Sequence, residues 1–336
     1  MHQCSVVLKC KLSLGTSVFH EAAWRFIIFL FFSFLTCSTS FAQKHKKVKI
    51  GMFTDVHVPT MHDAKERITA FMDSMKTAKP DFIIELGDFG TPAPKYAYGF
   101  EIWNTYAGSK YHVIGNHEMD GGFSLQQALA YRNMPSSYYS FEKNGFYFIV
   151  LDGNDKKSPD VKGYQEHLNP PQIAWLKEEL TKAKGPIVVF SHQGLGNDGV
   201  DNAAEIRAIL EAHNAQAKKN KIMANFYGHI HYDRADNING IWYICINSMS
   251  YKWLGEEYGH VRYSEQVDKD FKWIKYTAPY KDPLFTVVEI STKGTITISG
   301  KKSKWVGPSP QEIGFPVKNP EYEIPEIKAR TLKVKM

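Results

Sequence analysis

Val48-Lys49-Ile50-Gly51-Met52-Phe53-Thr54-Asp55-Val56-His57 is a short apolar run that ends in a carboxylate and an imidazole two positions apart. Its alternation of branched and small residues reads as a β-strand. Side chains two apart on a strand point the same way, so the strand end is expected to aim Asp55 and His57 at one point. An Asp beside a His is common on any surface. The stretch therefore gains meaning only from its company in the rest of the chain.

Four further blocks lie downstream, each behind an apolar run: Gly87-Asp88, Gly115-Asn116-His117-Glu118, Ser191-His192 and Gly228-His229-Ile230-His231. Taken singly, each has a bland reading: a helix cap, a turn, a core histidine, two surface histidines. Taken in order, the five blocks resemble the signature of the calcineurin-like metallophosphoesterase superfamily, over residues 47–300. The resemblance implies an α/β fold, a layered β-sandwich flanked by α-helices. It also implies two metal ions. Carried over block by block, Asp55, His57 and His231 would bind the first metal, Asp88 would bridge, and Asn116, His192 and His229 would bind the second. Imidazole, carboxylate and amide donors suit manganese, iron or zinc. In the superfamily a metal-bridging hydroxide attacks phosphorus, and His117 would be the catalytic residue that faces the leaving-group oxygen as acid or charge stabiliser.

The sequence also departs from known branches. Serine/threonine protein phosphatases carry a second carboxylate three residues after the bridging aspartate, then an arginine; here Thr91 and Pro92 stand there. His117 is therefore expected to lack its orienting carboxylate from that place, and a protein phosphatase is disfavoured. Purple acid phosphatases place a tyrosine ligand at the Thr91 position, so a coloured iron–tyrosinate site is not expected. Glu118 reads as structural. His62, His112, His167, His213 and His260 match no block and read as surface or satisfied core groups.

The chain has 336 residues, 43% hydrophobic and 23% charged, enough for a sizeable core. Its 41 basic and 35 acidic residues leave a net charge of +6 without a clustered basic stripe, so no nucleic-acid polymer is expected as a partner. Residues 1–42 read as a signal peptide: Arg25, a ten-residue apolar run over 26–35, and a Ser40-x-Ala42 cleavage site. The run is shorter than the roughly 20 residues of a membrane span, so an exported, periplasmic or secreted protein with no span after cleavage is expected. Only Cys245 follows that segment, and its apolar surroundings make it a buried, inert thiol.

Strand-like runs cover 48–54, 82–86, 111–114, 187–190, 222–227 and 241–246, and hairpins cover 137–151 and 284–299. Helical spacing appears at 64–76, 96–106, 126–131, 203–215 and after Pro170. The expected organisation is a catalytic domain over 43–300 and a Pro-rich extended surface tail over 301–336. Residues 248–282 form a long connection rich in aromatics, read either as a packed subdomain or as a cap that stacks a base or sugar. The leading expectation is an exported dinuclear-metal phosphohydrolase of a small phosphomonoester or phosphodiester. The alternatives are a nucleotide or cyclic-nucleotide phosphodiesterase and, outside enzymes, a metal-holding binding or scaffold protein. The oligomeric state is left open.

Overall fold

The computed structural model describes residues 46–158, 160 and 162–336. The expected signal peptide lies outside the described residues.

Among the described residues sixteen strands follow in chain order: β1 (Lys47–Phe53), β2 (Phe82–Glu85), β3 (Ser109–His112), β4 (Tyr139–Lys143), β5 (Phe146–Val150), β6 (Ile187–Phe190), β7 (Ile222–Tyr227), β8 (Arg234–Ile238), β9 (Ile241–Cys245), β10 (Tyr251–Trp253), β11 (Thr277–Pro279), β12 (Thr286–Ser291), β13 (Thr295–Ile298), β14 (Lys301–Lys302), β15 (Glu326–Ile327) and β16 (Arg330–Lys333). Two six-stranded sheets carry the architecture, with orders β16-β13-β12-β1-β2-β3 and β4-β5-β6-β7-β9-β8. Within them β1, β2 and β3 are parallel neighbours, as are β5, β6, β7 and β9.

The sheets face each other as a sandwich. Alternate residues of each strand go inward: Val48, Ile50 and Met52 from β1 meet Phe146, Phe148 and Val150 from β5 in one core. The residues between them face outward, and helices cover that side. α1 (Ala64–Ala78) and α2 (Ala97–Asn104) follow β1 and β2 in the chain, and their Ile68, Phe71 and Trp103 pack with Phe53 and Ile83. After α3 (Leu125–Arg132) come α4 (Pro170–Lys182) and α5 (Ala203–Gln216), whose Leu176, Leu180 and Leu210 pack with Ile149 and Val189. Strands buried on both faces read as continuous apolar runs, which is why β5, β6 and β7 stood out in the sequence.

One expectation needs correction. The segment 301–336 is not a surface tail. β16 is an edge strand of the first sheet, and Ile327 and Val334 are part of the inter-sheet core. Arg330 grips the buried Asp233 at 2.6 Å, and Asn247 Nδ2 donates to the Ile324 carbonyl at 2.8 Å. Pro-rich spacing misled because extended chain can be edge strand as well as coil. Residues 248–282, by contrast, match the packed-subdomain reading. They hold the two-stranded β10–β11 ribbon and α6 (Glu265–Asp270), and Met249, Tyr251 and Ile274 are buried against α1 and α2. Cys245 is free and buried, as expected. Among the described residues no helix is long and apolar enough to cross a membrane.

Candidate dinuclear metal centre

The parallel strands of both sheets end on one edge of the sandwich, and every predicted site residue sits in a loop just past such an end. The ends of parallel strands are the usual ligand-binding edge. Asp55 and His57 do not converge through the pleat, however. β1 stops at Phe53, and the loop beyond it carries φ of 53° at Asp55 and 49° at His57. Asp88 (54°), His229 (70°) and His231 (51°) share this left-handed region. Asp and His enter it more readily than branched residues do, and each such position costs on the order of 1 kcal/mol. The strain is held by neighbours: Asp55 and His57 donate backbone N–H to the carbonyls of Gly87 and Asp88, each at 3.0 Å. Ser248 and Ser250 hydroxyls donate to the carbonyls of Asp55 and Val56 at 2.9 and 2.8 Å. Gly87, at φ +99°, is required twice over, because a Cβ there would lie 2.5 Å from the His192 ring.

Each carboxylate spends one oxygen on the protein and turns the other inward. Asp55 Oδ2 accepts from the Thr54 hydroxyl at 2.6 Å and from His229 N at 3.0 Å, leaving Oδ1 facing His231 Nε2 at 3.1 Å and His57 Nε2 at 3.6 Å. Asp88 Oδ1 accepts from His117 N at 2.9 Å, leaving Oδ2 at 3.1 Å from His192 Nε2 and 3.7 Å from His57 Nε2. Two of the rings are pinned from behind. His231 Nδ1 donates to the Tyr251 carbonyl at 2.8 Å, and His192 Nδ1 to the Leu86 carbonyl at 2.7 Å. In the neutral imidazole the other nitrogen is then a lone pair, so Nε2 of both rings is an acceptor aimed at an acceptor. His192 Nε2 and Asn116 Oδ1 are buried without a hydrogen-bond partner. Converging acceptors with no proton between them are a poor hydrogen-bond network and a good cation site. Three groups place their donor atoms within 4.8 Å of one another: Asp55-His57-His231, Asp88-His192-His229 and His57-Asp88-His117. The residues present thus fit two dications that share Asp88.

The electrostatics mark the same place: burial disfavours charge on His192, but Asp88 and Asp55 overcome this and raise it to about 10, so without a cation a proton takes its place there. Burial works to raise both carboxyls, yet the facing His231 and His192 hold Asp55 and Asp88 well below the usual carboxylate range. Burial dominates at His57 and lowers it to about 4, the neutral form a metal ligand needs.

Behind the ligands lies a buried ion pair. Glu118 accepts from the backbone N–H of Gly115, Asp88 and Phe89 at 2.7, 3.2 and 2.8 Å, and from Arg132 at 2.9 Å. It fastens the Asp88 loop to the Asn116 loop, the structural role expected of it. Glu85 does a similar job, bonding His112 Nδ1 and the Gly87 N–H, each at 2.8 Å.

A family model described as calcineurin-like phosphoesterase matches residues 48–233, more than half of the chain. The chain is a calcineurin-like phosphoesterase. It is accordingly a metal-dependent hydrolase of phosphoesters, in a family that depends on a dinuclear metal centre. A curated relative from Fibrobacter succinogenes, described as a probable cyclic nucleotide phosphodiesterase, is 26% identical over 204 residues, 55% of this chain and 73% of the relative. A solved dimetal phosphatase from Danio rerio is similar in fold, with a TM-score of 0.56 at 13% identity, covering 77% of this chain and 98% of that one.

In this phosphoesterase the centre opens into a cavity of about 810 Å³. His57, Asp88, Asn116 and His117 lie on its floor, and Tyr164, Trp253 and Trp273 on its walls. The sequence reading missed three polar groups here. Asp120 Oδ2 lies 2.6 Å from His117 Nδ1, Tyr164 hydroxyl lies 2.6 Å from Asp120 Oδ1, and Glu166 Oε1 lies 2.9 Å from His229 Nε2. Only Asp120 left a trace in the sequence, as a carboxylate three residues after His117 on a tight turn. The loop after Asp120 lines the cavity through Gly121 and Phe123, whereas Asn247 and Ser248 are buried behind the ligands.

Proposed function

We propose that this phosphoesterase hydrolyses a nucleotide phosphodiester, cyclic nucleotides included, after export from the cytoplasm. The observation that carries the substrate reading is the cavity itself. Its volume falls in the range of small-molecule sites, and one wall offers two indoles that are 43% and 42% exposed, Trp253 and Trp273. Exposed rings of this size beside a polar floor are stacking surfaces for a base. The name given to the Fibrobacter relative points the same way. The signal-like segment over 1–42 supports export.

Asp55, His57 and His231 would hold one cation, Asn116, His192 and His229 the other, and Asp88 both. When bound, manganese, iron or zinc ions would polarise the phosphoryl oxygens and make a water acidic enough to attack. The chain's own residues do the rest. His117 lies with Nε2 4.0 Å from Asp88 Oδ2, at the mouth of the floor, where it can give a proton to the leaving oxygen. Partial burial disfavours its charge, but Asp88 and the Asp120 hydrogen bond overcome this and raise it to about 9. Tyr251 packs against the rings of His57 and His231, both at 5.0 Å, and fixes the floor on which the ester rests.

The test is a hydrolysis panel on the full chain loaded separately with manganese, zinc and iron. Expected is faster turnover of bis(4-nitrophenyl) phosphate and a cyclic nucleotide than of 4-nitrophenyl phosphate, abolished by a chelator. Turnover of monoesters alone overturns the substrate reading. For export, an N-terminus at Gln43 in the exported fraction is expected, and one at Met1 in the membrane fraction overturns it.

A further inference from the structure

We infer that Lys95 and Lys272 are specificity-determining residues, a subsite on the cavity wall for a second phosphate that the substrate carries apart from the one that is cleaved. The inference rests on the reading of the cavity as a nucleotide site, and it goes beyond that reading by naming a charged group on the substrate.

Among the described residues, the acidic groups that line the cavity are Asp88 and Asp120. Asp88 faces the candidate cations. Asp120 is taken by His117 and Tyr164, at 2.6 Å each. Lys95 and Lys272 line the same cavity, the first from the helical turn Pro94–Tyr96 and the second from the segment between α6 and β11. Lysines on the outer surface find carboxylates: Lys76 pairs with Asp73, Lys157 with Asp201 and Lys182 with Glu179. Among the described residues Lys95 and Lys272 have no such partner. Each ammonium is held instead against a ring that borders the cavity. Lys95 Nζ lies 4.7 Å from the centre of the Tyr96 ring, and Lys272 Nζ 4.7 Å from that of Trp273. Such contact steadies an ammonium without neutralising it. Two positive charges therefore stand on the cavity wall with no carboxylate of the protein to answer them.

The floor already meets the charge of the scissile phosphate. A cyclic mononucleotide has a single negative charge and spends it there, which leaves both lysines unanswered. A terminal phosphate carries about 1.5 to 2 negative charges at neutral pH, a match for two ammoniums, and lysine serves phosphate as a point charge.

Exposure tells where on the substrate that phosphate sits. Lys95 and Lys272 are exposed and belong to the rim with Trp253 and Trp273, whereas Asp55, Asp88 and His192 are buried. A phosphate bonded directly to the scissile one would lie on the floor, beside the cations. One on the far hydroxyl of the nucleoside reaches the wall while the base stacks on an indole. The substrate class is thus a nucleotide diester with a terminal phosphate on its sugar.

The experiment uses the metal-loaded full chain and the 4-nitrophenyl ester of thymidine 5′-monophosphate, with and without a phosphate on the 3′ hydroxyl. The isomeric pair, with ester and phosphate exchanged between the two hydroxyls, is measured beside it. The readout is the ratio of KM values within a pair. Expected for the faster-cleaved isomer is a KM about 10-fold lower with the extra phosphate, the scale of two exposed ion pairs, and a ratio that shrinks as ionic strength rises. Lys95→Gln and Lys272→Gln should each lower the ratio about 3-fold, and the double variant should bring it close to unity. Lys275→Gln separates a local subsite from the general positive field of the chain. That lysine lies over Tyr276 at 5.1 Å in the same segment but does not line the cavity, so the ratio should stay as in wild type. A ratio of unity in wild type, a preference that survives in the double variant, or an equal fall in Lys275→Gln and Lys272→Gln would each overturn the inference. If wild type cleaves only monoesters, the diester reading fails by itself, and thymidine 3′,5′-bisphosphate against thymidine 5′-monophosphate gives the ratio. If it cleaves neither class, calorimetric titration with those two monoesters gives the same ratio as Kd.

Discussion

Asp88 and Trp273 border the same cavity, the first 2% exposed and the second 42%. Around Asp88 the backbone and the side chain are held from several directions. One carboxylate oxygen accepts from His117 N, the backbone is bent into a left-handed turn, and a buried ion pair braces the loop from behind. Around Trp273 the contacts are few and loose: a tilted ring at 6.0 Å, Tyr276, and a lysine over the indole face at 4.7 Å. The floor is over-determined and the rim is free to adjust. Groups that must hold a fixed geometry are placed where packing fixes them. Groups that meet a variable part of the substrate are placed where little does.

Four substitutions would break or sharpen this contrast. Asp88→Asn removes the charge shared by both candidate cation sites. It should cut both metals per chain and lower turnover by more than about 10³-fold, beyond the loss from one missing electrostatic partner. Elemental analysis beside kinetics reads this out, and full metal content would contradict it. His117→Ala should keep both metals and lose about 10²–10⁴-fold on an alkyl ester, the range for general acid assistance, with far less lost on a nitrophenyl ester. Loss of one metal would instead make His117 a ligand, as its grouping with His57 and Asp88 allows. Arg132→Met leaves Glu118 buried and unpaired and should lower stability by about 3–5 kcal/mol, measured by urea unfolding of the metal-free protein. An unchanged midpoint would show that the backbone N–H groups alone satisfy Glu118. Trp273→Ala should weaken binding of a nucleotide ester by about 1–3 kcal/mol, the value of base stacking, and leave 4-nitrophenyl phosphate untouched. A parallel loss on both would move the indole from the rim's role to the floor's.

The same contrast governs what could be read in the sequence. Asp55, Asp88, His192 and His229 were legible because each follows a strand that is buried on both faces, and such runs are unmistakable in one dimension. The reason they converge was not legible, since the left-handed turns at Asp55 and His57 depend on carbonyls of the neighbouring loop. The contact of Tyr164 with His117 was missed for a related reason. Tyr164 stands 47 positions from His117 along the chain, in a segment with no periodic pattern of its own. β8 was overlooked because its Arg234-Ala235-Asp236-Asn237 reads as polar loop; it is an edge strand, paired on one side only. β16 was lost to the prolines before it. Edges and rims take their form from partners far along the chain, and a local pattern does not record those partners.

The loop after β1 carries the first two candidate ligands, yet the other side of β1 pairs with β12, and the carbonyl of Lys46 waits for Thr292, 246 positions later. During synthesis this span corresponds to on the order of 10–50 s at ~5–20 residues per second. Throughout that interval the strand behind Asp55 and His57 has an open edge, the kind that recruits stray chains. The metal centre is therefore encoded early and finished late, and the nascent chain's most exposed moment falls between the two.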